Sequence, residues 1–155
     1  MIKTQLNFPR DITLNIVEKE DGQFVFDPVR KIDVLFTPEE NVRQHLIHYL
    51  LKYKGYSAGL MAIEKKIVVN HLTRRPDLVV YNREQKPWFV IECKRPEEKL
   101  TQKVIEQIAQ YNSLLKSEYL CITNGLEHFI FQLDYTKNTF VSLTEFPELY
   151  KKVDK

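Results

Sequence analysis

The stretch RPDLVVYNREQKPWFVIECKRP, residues 75–96, places charged residues at matching ends of two apolar runs. Asp77 opens the first run, and Glu92 and Lys94 close the second. The two runs, separated by NREQK, predict a strand, a turn and a second strand. Charges on a buried sheet face are costly unless they are paired. A metal ion bound between the two carboxylates would account for them.

The register of this hairpin decides whether the charges meet. If the chain folds back between Glu84 and Gln85, position 77 lies directly opposite position 92, with Cβ atoms about 5 Å apart. Lys94 shares the face of position 92, because alternate residues of a strand point the same way. Two adjacent carboxylates raise each other's pKa unless a cation joins them, and Mg²⁺ is commonly held by one or two carboxylates. The pattern predicts a hydrolytic phosphodiesterase site; the alternative is a salt bridge of Lys94 on an exposed face.

Length and composition favour one globular domain over residues 1–155. Lys and Arg number 23 against 21 Asp and Glu, which is too balanced for a uniformly basic nucleic-acid binder, so DNA contacts would need local basic patches. Cys93 and Cys121 lie in apolar runs, which argues against a disulfide framework. With no signal peptide and no membrane-spanning run, we expect a cytoplasmic protein.

The remaining elements mix strands and helices without regular alternation, which favours an α/β (α+β mixed) fold with a mixed central sheet. Thr37 is a suitable N-cap, Glu40 completes a capping box, and Gly55 ends the helix. The expected order is an N-terminal hairpin turning at Asp21-Gly22, a strand at about 32–36, this helix, a strand at 60–69, the hairpin of residues 77–94, a largely helical segment from 96 to about 117, strands at 119–123, 127–134 and 138–143, and a terminal helix in FPELYKK.

The pair of segments Pro76-Asp77 and Glu92-Cys93-Lys94 resembles the signature of the PD-(D/E)xK nuclease superfamily. The order and spacing of several segments together resemble the N-terminal endonuclease domain of type I restriction enzyme R subunits, over residues 27 to 125. These segments are DPVRK, TPEENVRQHLIHYL, RRPDLVVY, FVIECKRP, QIAQY and CITNG. The resemblance implies a restriction-endonuclease-like core, with a four-stranded mixed sheet flanked by helices, and DNA cleavage that depends on Mg²⁺ or Mn²⁺.

The resemblance also implies a role for each matching residue. Asp77 and Glu92 would be metal ligands, together with the backbone carbonyl of Cys93, and Lys94 would be the catalytic lysine. A carboxylate on the preceding helix would complete the site. We prefer Glu39 to the capping residue Glu40, because Glu39 lies on the apolar stripe that should face the sheet.

Other polar residues near these motifs are candidates for holding the site or the DNA. Gln107 and Tyr111 match the QxxxY element of the family, which lies beside the active centre; the alternatives are a surface amide and a core aromatic. Candidate nucleic-acid contacts are Arg74, Arg75, Arg43 and Lys31. Arg43 is also a candidate for orienting the site carboxylates. Glu64 would join the acidic cluster or, as we prefer, lie on the surface of its strand.

The leading hypothesis is a metal-dependent DNA endonuclease of the type I R-subunit N-terminal kind. The alternative is a nucleic-acid-binding or assembly module that keeps the nuclease fold without cutting, and a third is an unrelated α+β protein with a chance pattern. No GxxxxGK phosphate loop is present, so ATP hydrolysis by that route is not expected. Expected partners are DNA and restriction-modification subunits, not a membrane. A domain of this size would cut non-specifically or need a second copy, as a homodimer.

Overall fold

The computed structural model describes residues 5–149, in which eleven strands and two α-helices are assigned. In chain order they are β1 (Ile16–Lys19), β2 (Gly22–Asp27), β3 (Ile32–Leu35), α1 (Pro38–Tyr53), β4 (Met61–Ile63), β5 (Ile67–Val69), β6 (Leu72–Arg74), β7 (Leu78–Tyr81), β8 (Pro87–Cys93), α2 (Gln102–Asn112), β9 (Tyr119–Thr123), β10 (His128–Asp134) and β11 (Thr139–Leu143). Short 3-10 turns lie at Ala58–Leu60 and Ser113–Leu115. The mixed α+β fold class is confirmed.

The central sheet is mixed and has six strands, in the order β11-β10-β9-β8-β7-β4. Strands β8 and β9 are parallel, and every other neighbouring pair in this sheet is antiparallel. The expected four-stranded mixed core corresponds to β4, β7, β8 and β9. The expected number of strands was too small, because β10 and β11 continue the same sheet beyond β9.

The two helices cover opposite faces of the central sheet. Residues of β7 and β8 alternate between the two faces, as the period of a strand requires. Leu78 and Ile91 belong to the apolar cluster that contains Leu46 of α1. Val79 and Val90 belong to the cluster against which α2 packs. Within residues 5–149, neither helix combines the length and apolar character needed to cross a membrane.

The hairpin of β7 and β8 has the register expected from the sequence. Leu78 pairs with Ile91 and Val79 with Val90, so the next position toward the sheet end brings Asp77 opposite Glu92. The register shifts only between Val80 and Tyr81, at the turn end of the hairpin. This β-bulge lies at the opposite end of the hairpin from Asp77 and Glu92, so these two residues remain in register.

A three-stranded antiparallel sheet, β1-β2-β3, precedes α1 and is joined to it by buried charges. Asp27 at the end of β2 is fully buried and accepts hydrogen bonds from Arg30 Nε at 2.7 Å and Gln44 Nε2 at 2.9 Å. It also accepts from the backbone N–H groups of Val29 and Arg30. The Arg30 guanidinium continues to Glu40 of α1 at 2.8 Å. These contacts attach the β2–β3 turn to the first turns of the helix.

The strand expected at residues 60–69 is two strands separated by a break. Strand β4 stays in the central sheet, whereas β5 leaves it and pairs with β6. Glu64 has a left-handed φ of +52°, and the run Glu64–Lys66 places three successive charges at the break. A residue in that conformation ends the extended geometry that a continuous strand needs.

Several other boundaries differ from the sequence-based expectation. The second helix begins at Gln102, where the Thr101 hydroxyl accepts the Val104 N–H, and not at residue 96. The tight turn of the first hairpin spans residues 20–21, with Gly22 as the first residue of β2. The terminal helix is absent from residues 146–149, and the rest of that predicted helix lies outside the described residues.

Replacement of Asp27 by alanine tests the buried network. Two backbone N–H groups, Nε of Arg30 and the Gln44 amide would lose their acceptor inside the protein, so we expect a loss of about 3–5 kcal/mol in the free energy of unfolding. The matched control is Asp33→Ala, because the Asp33–Lys19 pair, at 2.7 Å, is exposed to solvent. That change should cost less than about 1 kcal/mol. Urea unfolding with unchanged m-values measures both.

The stabilisation by Asp27 should also depend on pH. Burial raises the pKa of Asp27, but the hydrogen bonds from Arg30 and Val29 outweigh it, so the pKa lies below its usual value. The contribution is therefore complete above the unfolded-state pKa and is lost as the pH falls through the folded-state pKa. A stability difference between wild type and Asp27→Ala that stays constant on acidification would contradict the network.

Candidate active site

Asp77 lies at the charged end of the central sheet, one residue before β7. Its Oδ2 accepts the backbone N–H of Cys93 at 2.7 Å. Its Oδ1 lies 3.6 Å from Nη1 of Arg43, and its carbonyl accepts the Glu64 N–H at 3.3 Å. The carboxylate is thus held from β8 and from α1, and its orientation does not depend on a bound ligand.

Glu92 on β8 is the direct neighbour of Asp77. The strand register brings the two carboxyl groups side by side, and Asn112, at the end of α2, is a further polar neighbour of Glu92. Burial raises the pKa of Glu92 to about 9, and the charge of Asp77 acts in the same direction. Asn112 and Lys94 oppose this rise. Glu92 therefore keeps its proton near neutral pH when no cation lies beside it.

Lys94 and Glu39 complete the group of charges. The Lys94 N–H donates to the Thr123 carbonyl at 2.8 Å, which continues the parallel pairing of β8 and β9. Burial and the charge of Asp77 raise the pKa of Glu39, whereas the charge of Lys94 lowers it. Among the residues that the structure describes, Lys94 forms no ion pair with a carboxylate. The alternative of a salt bridge is therefore not what holds this lysine in place.

The two acidic residues at the start of α1 have different surroundings. Glu40 is buried and receives Arg30 Nη2 at 2.8 Å and Arg43 Nε at 2.9 Å. Burial raises its pKa, but these two arginines outweigh it and the pKa is lowered. Thr37 Oγ1 accepts the Glu40 N–H at 3.0 Å, yet the Glu40 carboxylate is taken up by arginines and does not return to the cap. Glu39 is the helix carboxylate whose charge interacts with Asp77, and its role as a ligand stays a prediction.

Arg43 was predicted to contact nucleic acid, but its burial and its carboxylate partners do not favour that role. The residue is 5% exposed and its guanidinium is occupied by Glu40, by Glu64 at 3.1 Å and by Asp77. Burial lowers the pKa of Arg43, but Glu40 more than reverses this effect, so it remains charged. Its position agrees with the other interpretation, in which it orients the site carboxylates. Glu64 is exposed, as expected for a surface charge, and through its pair with Arg43 it also reaches this cluster.

Asn112 is the site residue that the sequence interpretation missed. It is 3% exposed, donates to the Ile108 carbonyl at 3.1 Å and lowers the pKa of the neighbouring Glu92. Its Oδ1 is buried and accepts no hydrogen bond within residues 5–149. The only signal in the sequence was its position directly after Tyr111, the last residue of the QxxxY element.

Gln107 and Tyr111 face a shallow depression and not the carboxyl pair. Tyr111 is 50% exposed, so the alternative of a core aromatic is wrong. The guanidinium of Arg74 stacks on the Tyr111 ring at 3.9 Å and donates through Nε to the Tyr111 carbonyl at 2.6 Å. Gln107 lines the same depression. Of the other predicted phosphate contacts, Arg75 and Lys31 are exposed.

The donor set fits a hard cation such as Mg²⁺. Asp77 and Glu92 supply oxygen atoms only, and their mutual repulsion is relieved by any cation between them. Within residues 5–149, no set of three or more His, Cys, Asp or Glu side chains is arranged to hold a metal ion. A site with two carboxylates is nevertheless common for Mg²⁺, which usually keeps several water ligands. The Cys93 side chain is buried, so only its backbone could contribute.

Comparison with known proteins places these residues in a family context. A family model described as type I restriction enzyme R protein N terminus matches residues 38–147. A fragment assigned to an HsdR subunit of a type I restriction enzyme from Vibrio vulnificus YJ016 has a TM-score of 0.51 and 21% identity, over 71% of this chain and 23% of the fragment. The type IIG restriction endonuclease BpuSI has a TM-score of 0.41 and 22% identity, over 64% of this chain and 11% of that enzyme. No curated protein sequence matches.

Two substitutions should move the pKa of Glu92 in opposite directions. Asn112→Ala removes a polar neighbour that favours the charged carboxylate, so the pKa of Glu92 should rise above that of wild type. Asp77→Asn removes the neighbouring negative charge, so the pKa should fall. NMR titration of the Glu92 side-chain carboxyl carbon, without divalent cations, measures both. Shifts in the same direction would show that the three side chains are not arranged as described.

Proposed function

Because the chain belongs to the family of type I restriction enzyme R protein N-terminal domains, we propose that it hydrolyses phosphodiester bonds of DNA with Mg²⁺ or Mn²⁺ as cofactor. The observation that supports this most strongly is the pair Asp77–Glu92. The strand register places these two carboxyl groups side by side at the end of the sheet, next to Lys94, which forms no ion pair within residues 5–149. Two adjacent carboxyl groups destabilise the folded protein unless a cation binds between them, so their presence indicates a functional site.

Asp77 and Glu92 would hold the metal, with Glu39 and the Cys93 carbonyl as the further ligands proposed from the sequence. When bound, the ion would offset negative charge on the phosphodiester and lower the pKa of a water molecule. Loss of the Glu92 proton would leave that carboxylate charged and able to bind the ion. The restriction-endonuclease fold and the all-oxygen donor set support this assignment.

The remaining side chains would position the reacting groups. Arg43 and the Cys93 N–H contact the two oxygens of Asp77, and Asn112 would orient Glu92. Lys94 stands next to both acidic residues on the same strand face and would hold the attacking water or stabilise the charge of the transition state. Positioning of this kind lowers the barrier because the charges need no reorganisation during the reaction.

A second candidate is a binding or assembly module that keeps the fold and does not cut alone. The chain spans only 23% of the similar HsdR fragment, so the R-subunit relatives contain much more protein than this domain. In that case DNA and restriction-modification subunits would be its partners in the cytoplasm, and a second copy of the chain stays a prediction.

Cleavage of supercoiled plasmid in the presence of Mg²⁺ or Mn²⁺ tests the proposal. Wild type should nick or linearise the plasmid, and chelation should abolish this. Asp77→Ala and Lys94→Ala should each lower the rate by about a hundredfold or more, the usual effect of removing a group that stabilises transition-state charge. The control is Lys86→Ala, an exposed lysine in the turn at the opposite end of the same hairpin.

Metal binding measured by calorimetry separates the two candidates. A nuclease should bind Mn²⁺ in the wild type and the Lys94→Ala variant and lose it in Asp77→Ala. Metal binding without cleavage, in folded protein, would favour the module that needs a partner. Absence of both binding and cleavage would contradict the nuclease proposal.

A further inference from the structure

The chain leaves and re-enters the candidate active site through one small hairpin. This β5–β6 ribbon, residues 65–75, begins directly after Glu64 and ends two residues before Asp77. The Glu64 N–H donates to the Asp77 carbonyl at 3.3 Å, which closes the base of the ribbon. The side-chain carboxylates of Glu64 and Asp77 both contact the guanidinium of Arg43. The ribbon is therefore anchored at the site itself.

The inner face of the ribbon is attached to the protein. Ile67 and Val69 pack against the apolar cluster on the α2 side of the sheet. Arg74 stacks on Tyr111 of α2 at 3.9 Å. Asn70 and His71, at the tip, both have positive φ, 50° and 65°, as in the tight two-residue turns that suit hairpins. These contacts give the ribbon a defined orientation next to the carboxylates.

The outer face of the ribbon carries two cations that form no ion pair within residues 5–149. Val68 pairs with Thr73, and alternation along the strands puts Lys66 and Arg75 on the same side. Continuation of the register brings Lys66 opposite Arg75. All four residues are exposed. Within residues 5–149, neither Lys66 nor Arg75 forms an ion pair.

The positive charge of the protein is concentrated in this ribbon. Of the 23 Lys and Arg, four lie in residues 65–75, which contain no Asp or Glu. The other 144 residues hold the remaining 19 against all 21 Asp and Glu. Without the ribbon the chain is thus net negative, and the candidate site itself is acidic. An acidic site attracts a polyanion only if cations beside it supply the attraction.

We infer that the outer face of the β5–β6 ribbon, with Lys66 and Arg75, binds the sugar-phosphate backbone of double-stranded DNA beside the cleavage site. This inference rests on the proposed nuclease function. Two cations on a flat two-stranded face can contact phosphates, and the Val68–Thr73 pair between them presents methyl groups and a hydroxyl to the sugars. Contacts of this kind position the duplex without reading its sequence.

Fluorescence anisotropy with a short labelled DNA duplex, in chelator so that nothing is cut, measures this contact. Lys66→Ala/Arg75→Ala should weaken binding by the full-length chain about tenfold at moderate salt. The slope of log K against log salt concentration should fall by about 1.8, the value for two lost phosphate contacts. Lys66→Arg/Arg75→Lys preserves both charges and should keep the wild-type slope.

The matched control is Arg83→Ala/Lys86→Ala, which removes two exposed cations from the β7–β8 turn at the far end of the central hairpin. This control should bind as wild type, since that turn lies away from the carboxylates. An equal loss in both double alanine variants would show that only net charge matters and would overturn the inference.

Other outcomes separate the inference from the nuclease proposal. A ribbon variant with wild-type affinity and slope would overturn the inference while plasmid cleavage by wild type could stand. Ribbon-dependent duplex binding in a protein that never cleaves would support the ribbon contact and count against the nuclease. No duplex binding by wild type, or tighter binding of single-stranded DNA or RNA, would also overturn the inference.

Discussion

The buried guanidinium of Arg43 joins three parts of the chain that are far apart in sequence. It forms two hydrogen bonds with Glu40 on its own helix, and its Nη1 reaches Glu64 after β4 and Asp77 before β7. Glu40 in turn binds Arg30, whose other partner is Asp27. A buried charge is tolerated only when opposite charges and hydrogen bonds surround it. The alternating acids and arginines meet that condition, and they hold α1 against the three-stranded sheet and the central sheet.

The same series separates structural from functional acids. Glu40 and Glu92 are the same residue type and are both largely removed from water, but the pKa of Glu40 is lowered and that of Glu92 is raised. Glu40 has two arginines at hydrogen-bond distance, whereas the charge of Asp77 acts on Glu92 and raises its pKa. The carboxyl pair is therefore the place in this group where a cation would be most strongly stabilising.

The residues proposed to bind DNA and those proposed for cleavage would be close together in the chain. The segment from Glu64 to Asp77 contains two carboxylates at its ends and the basic ribbon between them. Cations and carboxylates are thus separated by only a few residues along the chain. The cations lie on the outer face of the ribbon, whereas Glu64 and Asp77 lie at its base, where both contact Arg43. A polyanionic substrate held by the outer face would meet the acidic site without needing a basic surface elsewhere on the protein.

The sequence by itself determined the long helix, the mixed fold class and the register that places Asp77 opposite Glu92, because periodicity and parity are local properties. It did not determine that Arg43 is buried, that Asn112 reaches Glu92, or that the strand after residue 60 breaks at Glu64. Those features depend on partners distant in sequence: the Arg43 contacts join residues 21 to 34 positions apart. An arginine or an asparagine has the same local pattern on a surface and at a site, and only the packing of α1, α2 and the sheet decides which it is.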